Sequence, residues 1–195
     1  GPKIGVATDV PTPWLTLQED LSRAGLDPSS LNRTPDASMQ ENTELFKKGA
    51  IDVVQLFEPY AEELISFGGH IWHSFSSRGD IAFTTFYSTK TFVTERRSAC
   101  EALIRAINKS LQMIHNESPQ EIASIICPTF FPDLKIDSYA RIIERYKAAK
   151  VWPKTTTLPV ESFVRLKAAL LSGGLIQIDI PYDLIIDQQL SECGV

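Results

Sequence analysis

KKGAIDVVQLFEPYAEEL, residues 47–64, decides the fold of this chain. Gly49 ends a helix, and Ile51–Phe57 (IDVVQLF) follows as a short run rich in β-branched residues, which reads as a strand. Glu58-Pro59-Tyr60 turns the chain, and Ala61–Phe67 reads as the next helix, stopped by Gly68-Gly69. One helix stop, one strand and one helix start within so few residues is the unit of a parallel sheet covered by helices.

Upstream the same unit recurs. Lys3–Asp9 (KIGVATD) is a β-run. Trp14–Ala24 carries apolar residues at helical spacing, with Thr12 as the expected N-cap, Pro13 at the first helical position and Gly25 at the left-handed C-terminal position. Leu31–Thr34 is a brief strand, and Met39–Lys48 a helix ended by Gly49. Downstream, His70–Phe75 is expected as a fourth strand. Residues 3–75 therefore alternate β-α-β-α-β-α-β. In such a sheet, ligands lie beyond the carboxyl ends of the strands, here 9–14, 34–38 and 57–60. Each leads into a helix N-terminus, whose free N–H groups favour polar or anionic ligand groups.

After Ser76–Asp80 the pattern changes. Ile81–Val93 is a long β-like run, and from Thr94 onward almost everything is helical. Thr94 is the expected cap of a helix reaching Asn116. Ser118, Pro119 and Glu121 form the start of another, expected to end before Pro128. Asp137 is the expected cap of Ser138–Lys150, Pro159–Leu171 is stopped by Gly173-Gly174, and a last short helix covers Asp183–Leu190. Such helices, including one with the stripe Leu103, Ile104, Ile107 and Leu111, must bury their apolar faces. The economical expectation is that they cover a sheet whose other strands lie outside this chain.

Composition narrows the function. At 43% hydrophobic and 22% charged the chain is not disordered, and a net charge of -5 lacks the basic footprint of nucleic-acid binding. No apolar run reaches the roughly 18 residues of a membrane span, and no signal peptide is recognised at the N-terminus. Cys100, Cys127 and Cys193 form no CxxC pair and stand far from His70, His73 and His115, so no metal site is expected. No cofactor motif appears. There is no GxSxG elbow, no HExxH and no phosphate-cradling glycine loop, which argues against an enzyme.

Several strings resemble one family: KIGVATD with PTPW (3–9 and 11–14), AGLDP (24–28), the opening stretch 47–64, TTFYSTKTFV (84–93) and LLSGG (170–174). Together they resemble the solute-binding proteins of ABC importers of the taurine, nitrate and thiamine-precursor group, which are type II periplasmic binding proteins. The resemblance implies an α/β fold of two lobes. The chain would hold lobe two at 1–80, complete, and at 81–195 a hinge strand with the helix-rich C-terminal part of lobe one. The first part of lobe one would be missing.

It further implies binding of a small polar or planar organic molecule in an interlobe cleft, delivery to a membrane permease, and a periplasmic or extracellular, soluble or lipid-anchored protein. If the missing strands are absent, a homodimer or a domain-exchanged pair would supply the cover. The same fold also serves effector-binding domains of transcription regulators and some enzymes. No helix-turn-helix is read in this sequence, and the helical C-terminal half is expected to suit the importer component better.

The ligand-site candidates are Asp9, Thr12, Trp14, Phe57, Glu58, Tyr60, Thr84 and Thr85. Thr12 reads as a plain cap or as a cap whose hydroxyl reaches ligand. Trp14 is core packing or one wall of an aromatic stack. Glu58 is a helix-start carboxylate or an acceptor for a ligand N–H. Thr84 and Thr85 would line the hinge. Trp14, Phe57 and Tyr60 favour a planar organic ligand over an inorganic anion.

Overall fold

The computed structural model describes residues 1–193. Two compact units emerge, Gly1–Ser74 with Ala168–Ile178, and Phe75–Lys167 with the chain from Asp179 onward.

In the first unit, β1 (Ile4–Gly5) pairs in parallel with β2 (Val53–Val54). On the other edge of β1, single parallel pairings join Ile4 to Arg33 and Ala7 to Ala37. Three of the four expected strand segments are thus present, all parallel, though shorter than their apolar runs. Asn42 explains part of the shortening. It is fully buried, and its Nδ2 donates to the carbonyls of Val6 and Ala37, each at 3.1 Å, so a side chain replaces backbone pairing there.

The intervening helices are α1 (Thr12–Arg23), α2 (Met39–Lys47) and α3 (Tyr60–Phe67). Gly25, Gly49 and Gly68 all adopt positive φ just past them, as expected. Thr12 is not the cap of α1. Pro11 holds that position and Thr12 is already helical, because the fixed φ of the two flanking prolines starts the helix one residue early. Residues 70–74 are not in a strand: all five are exposed, Trp72 at 78%, and Phe75–Arg78 coils into a 3-10 turn. β-propensity operates through packing, and this run is exposed along its length.

The second unit is helical among its described residues. α4 (Lys90–Glu95) and α5 (Arg97–Asn116) are followed by α6 (Pro119–Phe130), α7 (Ile136–Ala148), α8 (Val160–Ser172, of which Ala168 onward belongs to the first unit), α9 (Tyr182–Ile185) and α10 (Gln188–Glu192). The α6–α7 pair makes its core, burying Ile122, Ala123 and Cys127 with Ala140, Ile142 and Ile143. The Ile81–Val93 run is not a strand. Ala82 donates to the Ser162 carbonyl at 3.0 Å, and the run's last residues join α4, where the Thr89 hydroxyl accepts from the Phe92 N–H.

Other boundaries also differ. Thr94 lies inside α4 and its hydroxyl donates to the Lys90 carbonyl. Asp137 sits in the first turn of α7 behind Lys135, where its carboxylate accepts from Gln120 instead of capping. α6 continues through Pro128 to Phe130, since a proline removes only its own N–H and later residues still reach back, as Phe131 does to Cys127. The expected helix over 183–190 is two, divided at Ile186 and restarted by the Asp187 carboxylate, which accepts from the Leu190 N–H.

Two capping boxes form, Ser38/Glu41 on α2 and Ser118/Glu121 on α6. The Ser38 backbone N–H and then its hydroxyl hold Glu41 below the ordinary glutamate range. The Ser118 hydroxyl and then its backbone N–H do the same for Glu121. A depressed folded-state value means stability present above the unfolded value and lost as pH falls through the folded one. On acidification, the protection of the first-turn amides of α2 and α6, taken relative to their intrinsic exchange at each pH, therefore falls. Glu121→Gln, which keeps the box but cannot titrate, removes that fall from α6 alone. A fall unchanged by the substitution would rule the box out as its cause.

Candidate functional site

Because β1, β2 and the 33–37 segment are parallel, the three chain turns that follow them lie at one edge of the first unit. These turns carry six of the candidates. Asp9 is exposed, and its Oδ2 accepts the Met39 N–H at 2.8 Å, capping α2 from a distant part of the chain. Thr12 and Trp14 occupy the first turn of α1, both half-buried. The Arg33 guanidinium lies over the Trp14 indole, 4.4 Å from its centroid.

Phe57 ends the β2 run, half-buried, and its carbonyl accepts from the Ala61 N–H. The Glu58 carboxylate accepts the Glu62 N–H at 2.8 Å, so one of its oxygens serves the start of α3. The Glu58–Pro59 peptide is cis. Tyr60 is the first helical residue of α3 and half-buried. Thr84 and Thr85 are exposed and belong to the second unit.

Two further residues organise this edge. Gln55 donates its backbone N–H to the Gly5 carbonyl and its Nε2 to the Pro13 carbonyl at 3.0 Å, linking the end of β2 to the first turn of α1. Its Oε1 is buried and makes no hydrogen bond among the described residues. The sequence signal was an amide inside the otherwise apolar VVQLF. Arg33 gave a weaker signal, a lone cation in a short strand between turns.

Among the described residues, no three His, Cys, Asp or Glu side chains gather as a metal site, and no helix is long and apolar enough to cross a membrane. Cys127 is buried, donating its thiol to the carbonyls of Phe131 and Leu134. Cys100 and Cys193 are free and half-buried.

The solved structure of the periplasmic aliphatic sulphonate binding protein SsuA from Escherichia coli superposes with a TM-score of 0.73 over 98% of this chain, at 15% identity. The fold is that of the periplasmic binding proteins. The chain spans 64% of SsuA's length. In sequence it is 28% identical over 149 residues to YtlA of Bacillus subtilis (strain 168), provisionally named a binding protein, and the match covers 75% of this chain and 44% of YtlA. No protein-family model matches the chain.

Proposed function

We propose that this chain is a solute-binding component of an ABC importer. It would bind a small planar organic molecule at the carboxyl edge of its first unit and hand it to a membrane permease, on the periplasmic or extracellular side. The observation that carries this reading is the superposition with SsuA over 98% of the chain, together with the parallel strands that gather Asp9, Thr12, Trp14, Phe57, Glu58 and Tyr60 at one edge. Both similar proteins are named for binding, which supports a role without catalysis.

In this reading, residues 1–80 correspond to lobe two and 81–195 to the helical part of lobe one, with Thr84 and Thr85 at their junction. A second copy of the chain covers the apolar residues that the helical part leaves exposed. Trp14 offers a flat apolar surface, and Glu58 offers a carboxylate acceptor for a ligand N–H.

A thermal-shift panel of aliphatic sulphonates, nitrate and planar heterocycles tests the assignment. A ligand at about 100 times its Kd stabilises the folded state by about 2.7 kcal/mol. A planar heterocycle is expected to raise Tm, and Trp14→Ala and Glu58→Gln to abolish the rise while leaving the ligand-free Tm within a few degrees. If only nitrate or a sulphonate raises Tm, the planar-ligand reading is wrong. If nothing does, the binding reading is.

A further inference from the structure

One face of the Trp14 indole is closed by Arg33. The arginine side chain is 24% exposed, its Nε is buried without a hydrogen-bond partner among the described residues, and Nη2 pairs with Asp36, which is 70% exposed. Water screens the aspartate far more than the guanidinium packed on the ring. A cation stacking on the opposite face of the indole would compete for the same ring electrons and meet the guanidinium's charge across the ring. An uncharged or anionic ring would meet neither cost.

We infer that Arg33 is a specificity-determining residue: it makes stacking on Trp14 one-sided and excludes cationic ligands from the opposite face. This rests on the proposal that Trp14 lines the ligand site.

The test uses the full chain with Trp72→Phe and Trp152→Phe, leaving Trp14 as the only indole of the three. Its fluorescence is quenched with iodide and, separately, with caesium. The chain's net charge of -5 by itself favours caesium. Quenching several-fold stronger by iodide is therefore the expected mark of Arg33. Arg33→Met should erase the preference and Arg33→Lys retain it. Asp36→Asn, a change at an exposed position, should enlarge it even if Arg33→Met fails to fold. Equal quenching by both ions, a preference that survives Arg33→Met, or one unmoved by Asp36→Asn overturns the inference.

Nicotinamide and 1-methylnicotinamide, the ring-methylated cation that adds one methyl and one positive charge, then serve as ring probes by thermal shift. A rise with the neutral ring alone supports the inference, and equal rises with both overturn it while leaving the ligand site standing. If the iodide preference follows Arg33 but no planar solute raises Tm, it is the ligand-site reading that fails, not the charge bias at Trp14.

Discussion

Replacing Gly5 by alanine is expected to lower the unfolding free energy by about 2 kcal/mol. A Cβ there would stand 2.6 Å from Asn42 Oδ1 and 2.7 Å from Ile51 Cδ1, both closer than real Cβ contacts come. The Ile51 tip can rotate aside, but Asn42 cannot. Its amide holds the Val6 and Ala37 carbonyls; withdrawing it would take a donor from both and leave the buried Val6 carbonyl short, while Ala37 keeps the Thr8 hydroxyl. Against this, an alanine stiffens the unfolded chain by about 0.4–1 kcal/mol, which offsets part of a packing cost of about 1–3 kcal/mol without reversing its sign. Urea unfolding with an unchanged slope would measure the loss. Gly1→Ala, where a Cβ meets nothing within 4 Å, is the neutral control. Ile51→Val should recover part of the loss in the Gly5→Ala background, as coupled neighbours do. A Gly5→Ala protein as stable as the parent would show that this close packing is absent in solution.

Light scattering of the 195-residue chain at micromolar concentration is expected to give twice the chain mass. The second unit leaves Phe86 and Phe130 about 70% exposed and Tyr87 almost fully so, alongside Phe83, Phe92 and Leu103. Burying such side chains contributes roughly 1.5–3 kcal/mol each, so several together exceed the lower end of the 4–15 kcal/mol or so that association costs. The pair is expected to form by surface contact. Exchange through the 76–80 turn is disfavoured because Arg165 donates to the carbonyls of both Arg78 and Asp80 and pins that turn to α8. Phe86→Ser with Tyr87→Ser should return the mass to that of one chain without lowering helicity. A monomer in the parent protein would mean that no second copy covers these residues.

What sequence by itself determined lies where the signal is local. Each of the helix-ending glycines at 25, 49 and 68 sits at positive φ, and both serine–glutamate capping boxes close, because backbone φ and a side chain three residues away need no distant partner. The parallel order of the first three strand segments was also legible, since helices between strands permit little else. Strand existence was not. HIWHSF and AFTTFYSTKTFV have the composition of strands, yet a strand needs another backbone paired along it, and neither run is in a strand among the described residues. Caps at Thr12, Thr94 and Asp137 failed for a smaller reason: the start of a helix moved by one or a few residues, and a cap is worth about 1 kcal/mol against the packing that sets the start. Tertiary structure alone decided which long-range partners meet at the candidate edge. Asp9 with Met39, Gln55 with Pro13, and Arg33 with Trp14 are pairings between residues 19 to 42 positions apart, set by the sheet that brings their segments side by side.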